Sequence, residues 1–81
     1  MDSKTKTVLV TGAARGIGLA TARRFLADGW RVALLDIDGD NLKRTATDLA
    51  KPDSTIAIHC DVADVEGVAR AFDIVATQFG R

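Results

Sequence analysis

Apolar and polar positions along this chain follow two alternating regimes, and the alternation occurs three times. Val8-Leu9-Val10, Val32-Ala33-Leu34-Leu35 and Ile56-Ala57-Ile58 are short apolar runs rich in branched side chains, as expected of strands covered on both faces in a parallel sheet. Each is followed by a longer stretch with helical spacing. In the first, Gly18, Ala22, Phe25 and Leu26 share one face while Thr21, Arg24 and Asp28 share another. Leu42, Ala46, Leu49 and Ala50 form the stripe of the second; Val65, Val68, Phe72, Val75, Ala76 and Phe79 form that of the third. The punctuation agrees with this reading. Gly29 is placed to end the first helix, Asp38 or Asp40 to cap the second and Pro52 to stop it, and Asp64 and Gly80 to bound the third.

The order β-α-β-α-β-α predicts an α/β fold. Parallel strands joined by right-handed crossovers give one half of a doubly wound sheet, in spatial order 3-2-1. The third helix is expected on the face opposite the first two, with part of its apolar stripe bare.

The joint between the first run and the first helix carries the candidate chemistry: Thr11-Gly12-Ala13-Ala14-Arg15-Gly16-Ile17-Gly18. A strand entering a helix through such a turn aims backbone N–H groups and the positive end of a helix dipole at one point, a geometry suited to phosphate. Gly12 is expected to make the sharp turn, Gly16 to bring the backbone close to a pyrophosphate beside the free N–H groups around Ile17, and Gly18 to let helix and strand approach. A ligand-free βα turn is the plainer alternative. Against it stands Asp36, which ends the second run eighteen residues beyond Gly18, near the roughly 20-residue offset of an acid that bonds an adenosine ribose. Its charge would repel a 2′-phosphate, and Ile37 and Asp38 bring no cation. Arg15 is the one residue favouring NADP, so the charge argument favours NAD, with NADP second.

Composition narrows the partners. Of 81 residues 47% are apolar and 27% charged, an ordinary globular balance rather than a disordered one. Eleven basic and eleven acidic side chains cancel, so no net field draws nucleic acid or an anionic membrane. Cys60 is the only cysteine, which excludes an intrachain disulfide. Met1 to Lys6 is polar, unlike a signal peptide, and no apolar run approaches the ~20 residues of a membrane span. A cytoplasmic location is the expectation.

The eight-residue turn resembles the T-G-x-x-x-G-I-G cofactor loop of the short-chain dehydrogenase/reductase family, and the resemblance runs along essentially the whole chain. It implies a three-layer Rossmann-type half, with residues 1–81 as one partial dinucleotide-binding domain. Leu35-Asp36 looks like that family's second-strand acid and Cys60-Asp61-Val62 like the D-V pair after its third strand. By that likeness Asp61 would meet the adenine amino group and Val62 the ring through its backbone N–H. The candidate cofactor-binding residues are therefore Gly12, Arg15, Gly16, Ile17, Gly18, Asp36, Asp61 and Val62.

The family's chemistry uses a tyrosine, a lysine four residues later, a serine and an asparagine. This chain contains no tyrosine, and no catalytic residue is assigned. Lone His59 and Cys60 read as packed residues, with no metal site. The resulting expectation is the NAD(P)-binding N-terminal part of an oxidoreductase that moves a hydride between a nicotinamide and an alcohol or ketone. Its alternative is a non-catalytic dinucleotide-binding or interaction module. The first strand, apolar and charge-free, is expected at an exposed edge. It and the third helix would serve self-association or a complementing fragment.

Overall fold

The computed structural model describes residues 6–79. Six elements follow in the expected order: β1 (Thr7–Thr11), α1 (Gly16–Ala27), β2 (Arg31–Asp36), α2 (Gly39–Leu49), β3 (Thr55–His59) and α3 (Val65–Phe79). The strands lie side by side as β1-β2-β3, all parallel. Thr11 pairs with Leu35, and Asp36 with His59, so all three strands deliver their C-terminal ends to one edge of the sheet. In open α/β sheets that edge is where ligands bind.

Alternation along the strands separates two cores. Val8, Val10, Val32 and Leu34 face α1 and α2, packing with Ala22, Leu26 and Leu42. Leu9, Ala33, Leu35, Ile56 and Ile58 face the opposite layer, where α3 contributes Val68, Ala71, Val75 and Phe79. Helices thus cover both faces, with α3 crossing to the far side as the three-layer reading requires. Only β2 is buried along nearly its whole length, because it alone has a strand on each side; β1 and β3 are half-covered. No helix among the described residues is long and apolar enough to cross a membrane.

Two stripes differ from the sequence reading. Ala50 lies outside the apolar face of α2. It is the exposed C-terminal cap, in the left-handed region at φ 54°, with its N–H on the Thr47 carbonyl. The helix therefore ends before Pro52 is reached. On α3 the buried line is Ala71, Val75 and Phe79, with Val68 packed beside it, while Val65, Phe72 and Ala76 are exposed. Steps of three and four residues from Val68 keep one face, and Phe72 stands about 100° away from Ala71 around the axis.

The caps resolve as well. Asp38, not Asp40, caps α2, its side chain accepting the Asn41 N–H. Asp64 precedes α3 and its carbonyl accepts the Val68 N–H. Gly80 lies outside the described residues. Arg24 and Asp28 form an exposed i,i+4 pair at 3.4 Å, and Phe25 meets Trp30 edge-on at 4.8 Å.

One anchor has no counterpart in the sequence reading. Arg31, buried at the start of β2, donates from Nη1 to the Phe79 carbonyl at 2.7 Å, with its guanidinium 5.4 Å from the Phe79 ring centroid. A cation on the last carbonyls of a helix complements its dipole. Arg31 thereby ties α3 to the sheet.

Candidate functional site

The glycine turn is built by two different demands on glycine. Gly12 and Gly16 both have φ 61°, where a side chain is disfavoured. Gly18 is helical, but it sits against the strand end: a Cβ would overlap the Gly12 carbonyl oxygen and stand 2.6 Å from its carbon and 2.9 Å from the Thr11 oxygen. The approach of α1 to β1 therefore depends on the missing side chain.

Between the glycines, the turn is fastened to β2 and α2. The Ala13 N–H donates to the Leu35 carbonyl at 3.0 Å. Next, the Ala14 N–H donates to Asp36 Oδ2 at 2.9 Å, and the Ala14 carbonyl accepts from Thr45 Oγ1 at 3.0 Å and Asn41 Nδ2 at 3.4 Å. Asn41 and Thr45 lie four residues apart, on one face of α2. Neither is singled out by sequence reasoning. The only signal was a polar pair at helical spacing inside an apolar face.

Arg15 then flanks α1 in extended conformation and makes no side-chain cap, and no acidic residue occupies the first helical turn. The first ladder bond runs from the Leu19 N–H to the Arg15 carbonyl at 3.2 Å. The N–H groups of Gly16, Ile17 and Gly18 precede that bond, at the positive end of the helix dipole. The Arg15 guanidinium reaches sideways to Asp38 Oδ2 at 2.8 Å.

Asp36 is the hub. Its Oδ1 accepts the Asp38 N–H at 2.9 Å while Oδ2 holds Ala14. The Asp38 N–H lowers its pKa most; partial burial opposes this, and the Ala14 N–H, the Arg15 charge and the Ile37 N–H lower it further. The net shift is downward, so the carboxylate stays ionised throughout the neutral range. The Asp36 carbonyl accepts the Cys60 N–H at 3.0 Å, joining the third strand end to the same hub.

Beyond buried Cys60, the Asp61 carboxylate accepts the Ala63 N–H at 2.9 Å, and its carbonyl accepts the Asp64 N–H. Three large apolar side chains stand exposed beyond the strand ends: Ile17, in the first turn of α1, at 87%, Ile37 at 63% and Val62 at 59%. Ile37 is the one of these three that the sequence reading leaves out of the cofactor-binding candidates. A depression of about 400 Å³ lined by Ile37, Asp38, Gly39, Asp40, Lys43 and His59 opens beside it. His59 is exposed and lies against Gly39. Among the described residues no group of three His, Cys, Asp or Glu side chains could hold a metal ion.

Hydrogen bonds therefore link Arg15 and the turn carrying Gly12, Gly16, Ile17 and Gly18 to Asp36 and Asp38. Asp61 and Val62 stand in the next turn along the same sheet edge, joined through the Cys60 peptide. This arrangement can present helix N-terminal donors to an anion and a carboxylate to neighbouring hydroxyl groups.

The chain as a whole is similar to known proteins. An uncharacterised short-chain type dehydrogenase/reductase of Sinorhizobium fredii is 46% identical over 81 residues, covering 95% of this chain and 32% of that protein. Human 15-hydroxyprostaglandin dehydrogenase, named for NAD+, is 42% identical over 84 residues, covering 100% of this chain and 32% of the enzyme. A 3-ketoacyl-(acyl-carrier-protein) reductase from Brucella melitensis, crystallised with NADH, superposes with a TM-score of 0.86 at 29% identity, covering 94% of this chain and 31% of its own. The chain thus spans about a third of the length of the relatives it matches. Residues 6–81 match the family model for short chain dehydrogenases, and the chain belongs to that family.

Proposed function

We propose that this segment holds the adenosine and pyrophosphate of NAD within an oxidoreductase that moves a hydride between the nicotinamide and an alcohol or ketone carbon. One observation carries the reading: an ionised Asp36, locked to the glycine turn by the Ala14 N–H, stands beside a helix start whose N–H groups are unclaimed by any cap. The N–H groups of Gly16, Ile17 and Gly18 bind pyrophosphate oxygens, and Gly12 gives the backbone its turn toward them. Each Asp36 oxygen accepts one backbone N–H and keeps lone-pair capacity for the ribose hydroxyls. Asp61 and the Val62 N–H address the adenine edge, with the exposed Val62 and Ile37 side chains against its faces. Bound nicotinamide supplies the hydride donor or acceptor. The 81 residues, lacking tyrosine, orient the cofactor, and the reacting side chains lie outside them.

NAD is preferred over NADP because Asp36 meets the 2′ position and Arg15, the cation whose charge acts on Asp36, is already paired at 2.8 Å. In the same reading two further surfaces are covered by the rest of the fold or a second chain: the side of β1 away from β2, and the exposed Val65 and Phe72.

Calorimetric titration of the complete polypeptide tests this function. ADP-ribose, which lacks the nicotinamide, is expected to displace NAD competitively. Failure of ADP-ribose to compete with bound NAD, or absence of saturable NAD binding, overturns the proposal.

A further inference from the structure

Asp38 contributes little to the fold through its ion pair. The Arg15 and Asp38 side chains are 70% and 43% exposed, and pairs so exposed add little to stability. Its placement is nevertheless strongly determined. Oδ1 accepts the Asn41 N–H at 3.2 Å as the N-cap of α2, which leaves Oδ2 to Arg15, while the Asp38 N–H donates to Asp36 Oδ1. On the other side of Asp36, the N–H of Ala14, next to Arg15, holds Oδ2. Arg15 and Asp38 therefore sit on either side of the carboxylate assigned to the ribose, bonded to each other.

We propose that Asp38 is a specificity-determining residue that excludes NADP by engaging the Arg15 guanidinium. The inference rests on the dinucleotide reading of the site. Asp36, Asp38 and Arg15 together carry a local charge of −1. A 2′-phosphate placed there meets two carboxylates and a cation that is already neutralised. To bind the phosphate, Arg15 must leave Asp38 and expose a bare carboxylate beside the incoming anion. NAD, with hydroxyl groups at both ribose positions, requires no such exchange. Asp38 thus acts on selectivity through Arg15, and its cap on α2 fixes the carboxylate where that action is possible.

Asp38→Asn separates the charge from the cap, since asparagine caps helices as well as aspartate does. Titrations of the complete polypeptide with NAD, NADP, 5′-AMP and 2′,5′-ADP would read the effect, the last pair isolating the 2′-phosphate. The expected result for Asp38→Asn is a rise of about tenfold in NADP affinity relative to NAD, matched by 2′,5′-ADP relative to 5′-AMP and shrinking as salt is added. In an Arg15→Gln background the same substitution should shift the ratio by less than about threefold, because only simple repulsion remains to be relieved. An unchanged ratio in Asp38→Asn overturns the proposal, as does an equal shift with and without Arg15. NAD binding by wild type with an unchanged ratio in Asp38→Asn defeats this inference alone. Wild type binding none of the four ligands defeats the dinucleotide reading and this inference together.

Discussion

Gly18→Ala is expected to be the most damaging single-methyl change in the turn, costing about 3 kcal/mol of stability and most of the affinity for NAD. The added Cβ overlaps backbone, not a side chain: the Gly12 carbonyl oxygen, with the Thr11 oxygen 2.9 Å away. No rotamer change relieves such a contact, so α1 must back away from β1 and carry the Ile17 and Gly18 N–H groups with it. Gly12→Ala and Gly16→Ala provide the contrast. Nothing lies within 4 Å of a Cβ at either position, and only the positive φ opposes the side chain, at about 1–2 kcal/mol. Urea denaturation of the three variants should rank Gly18→Ala as the least stable. Equal stability of Gly18→Ala and wild type would mean that helix and strand are not in this close contact.

Asp36→Ala should lower NAD affinity about a hundredfold, through two losses at once. The ribose loses its acceptor, and the Ala14 and Asp38 N–H groups lose theirs; hydrogen bonds to charged groups are worth roughly 1.5–3 kcal/mol each. Asp36→Asn should restore part of the loss, since an amide offers one acceptor oxygen where the carboxylate uses two. The pH dependence follows from the lowered pKa. A carboxyl group with a folded pKa below its unfolded value of 3.8 stabilises the fold at pH values above 3.8. That contribution is lost as the pH falls through the lower folded value. Across the neutral range the Asp36 contribution should be flat, and in Asp36→Ala the corresponding acid loss should be absent. Titration calorimetry and acid unfolding of wild type and the two variants measure both effects. An Asp36→Ala protein that binds NAD as wild type does would remove Asp36 from the site.

Much of this arrangement is legible in the sequence because it rests on local periodicity. Three branched apolar runs, each followed by helical spacing, identify the six elements, and the glycine turn and Asp36 fall at strand ends by position alone. The hidden parts depend on distant pairings. Thr45 is a polar residue on an amphipathic helix until the fold brings the Ala14 carbonyl, thirty-one residues upstream, to its hydroxyl. Arg31 looks like a strand boundary; its role emerges only when the α3 terminus arrives forty-eight residues later. Asp38 is legible as a candidate cap, but its second oxygen is committed to Arg15 by the meeting of two loops. The α3 stripe shows a different limit. Apolar residues at Val65 and Phe72 satisfy helical spacing, yet the sheet accepts only the line through Ala71, Val75 and Phe79. Periodicity defines a face, while the partner surface determines how wide the buried part of it is.

In the proposed function the start of α1 and Asp36 form one grip on a dinucleotide. An amide-resolved NMR titration of NAD into the isotope-labelled complete polypeptide probes both halves of that grip at once. The Gly16, Ile17 and Gly18 amides are expected to shift saturably, together with those of Ala14 and Asp38 and with one common dissociation constant. Saturable NAD binding that leaves the Gly16, Ile17 and Gly18 amides unmoved would place the dinucleotide elsewhere on the chain.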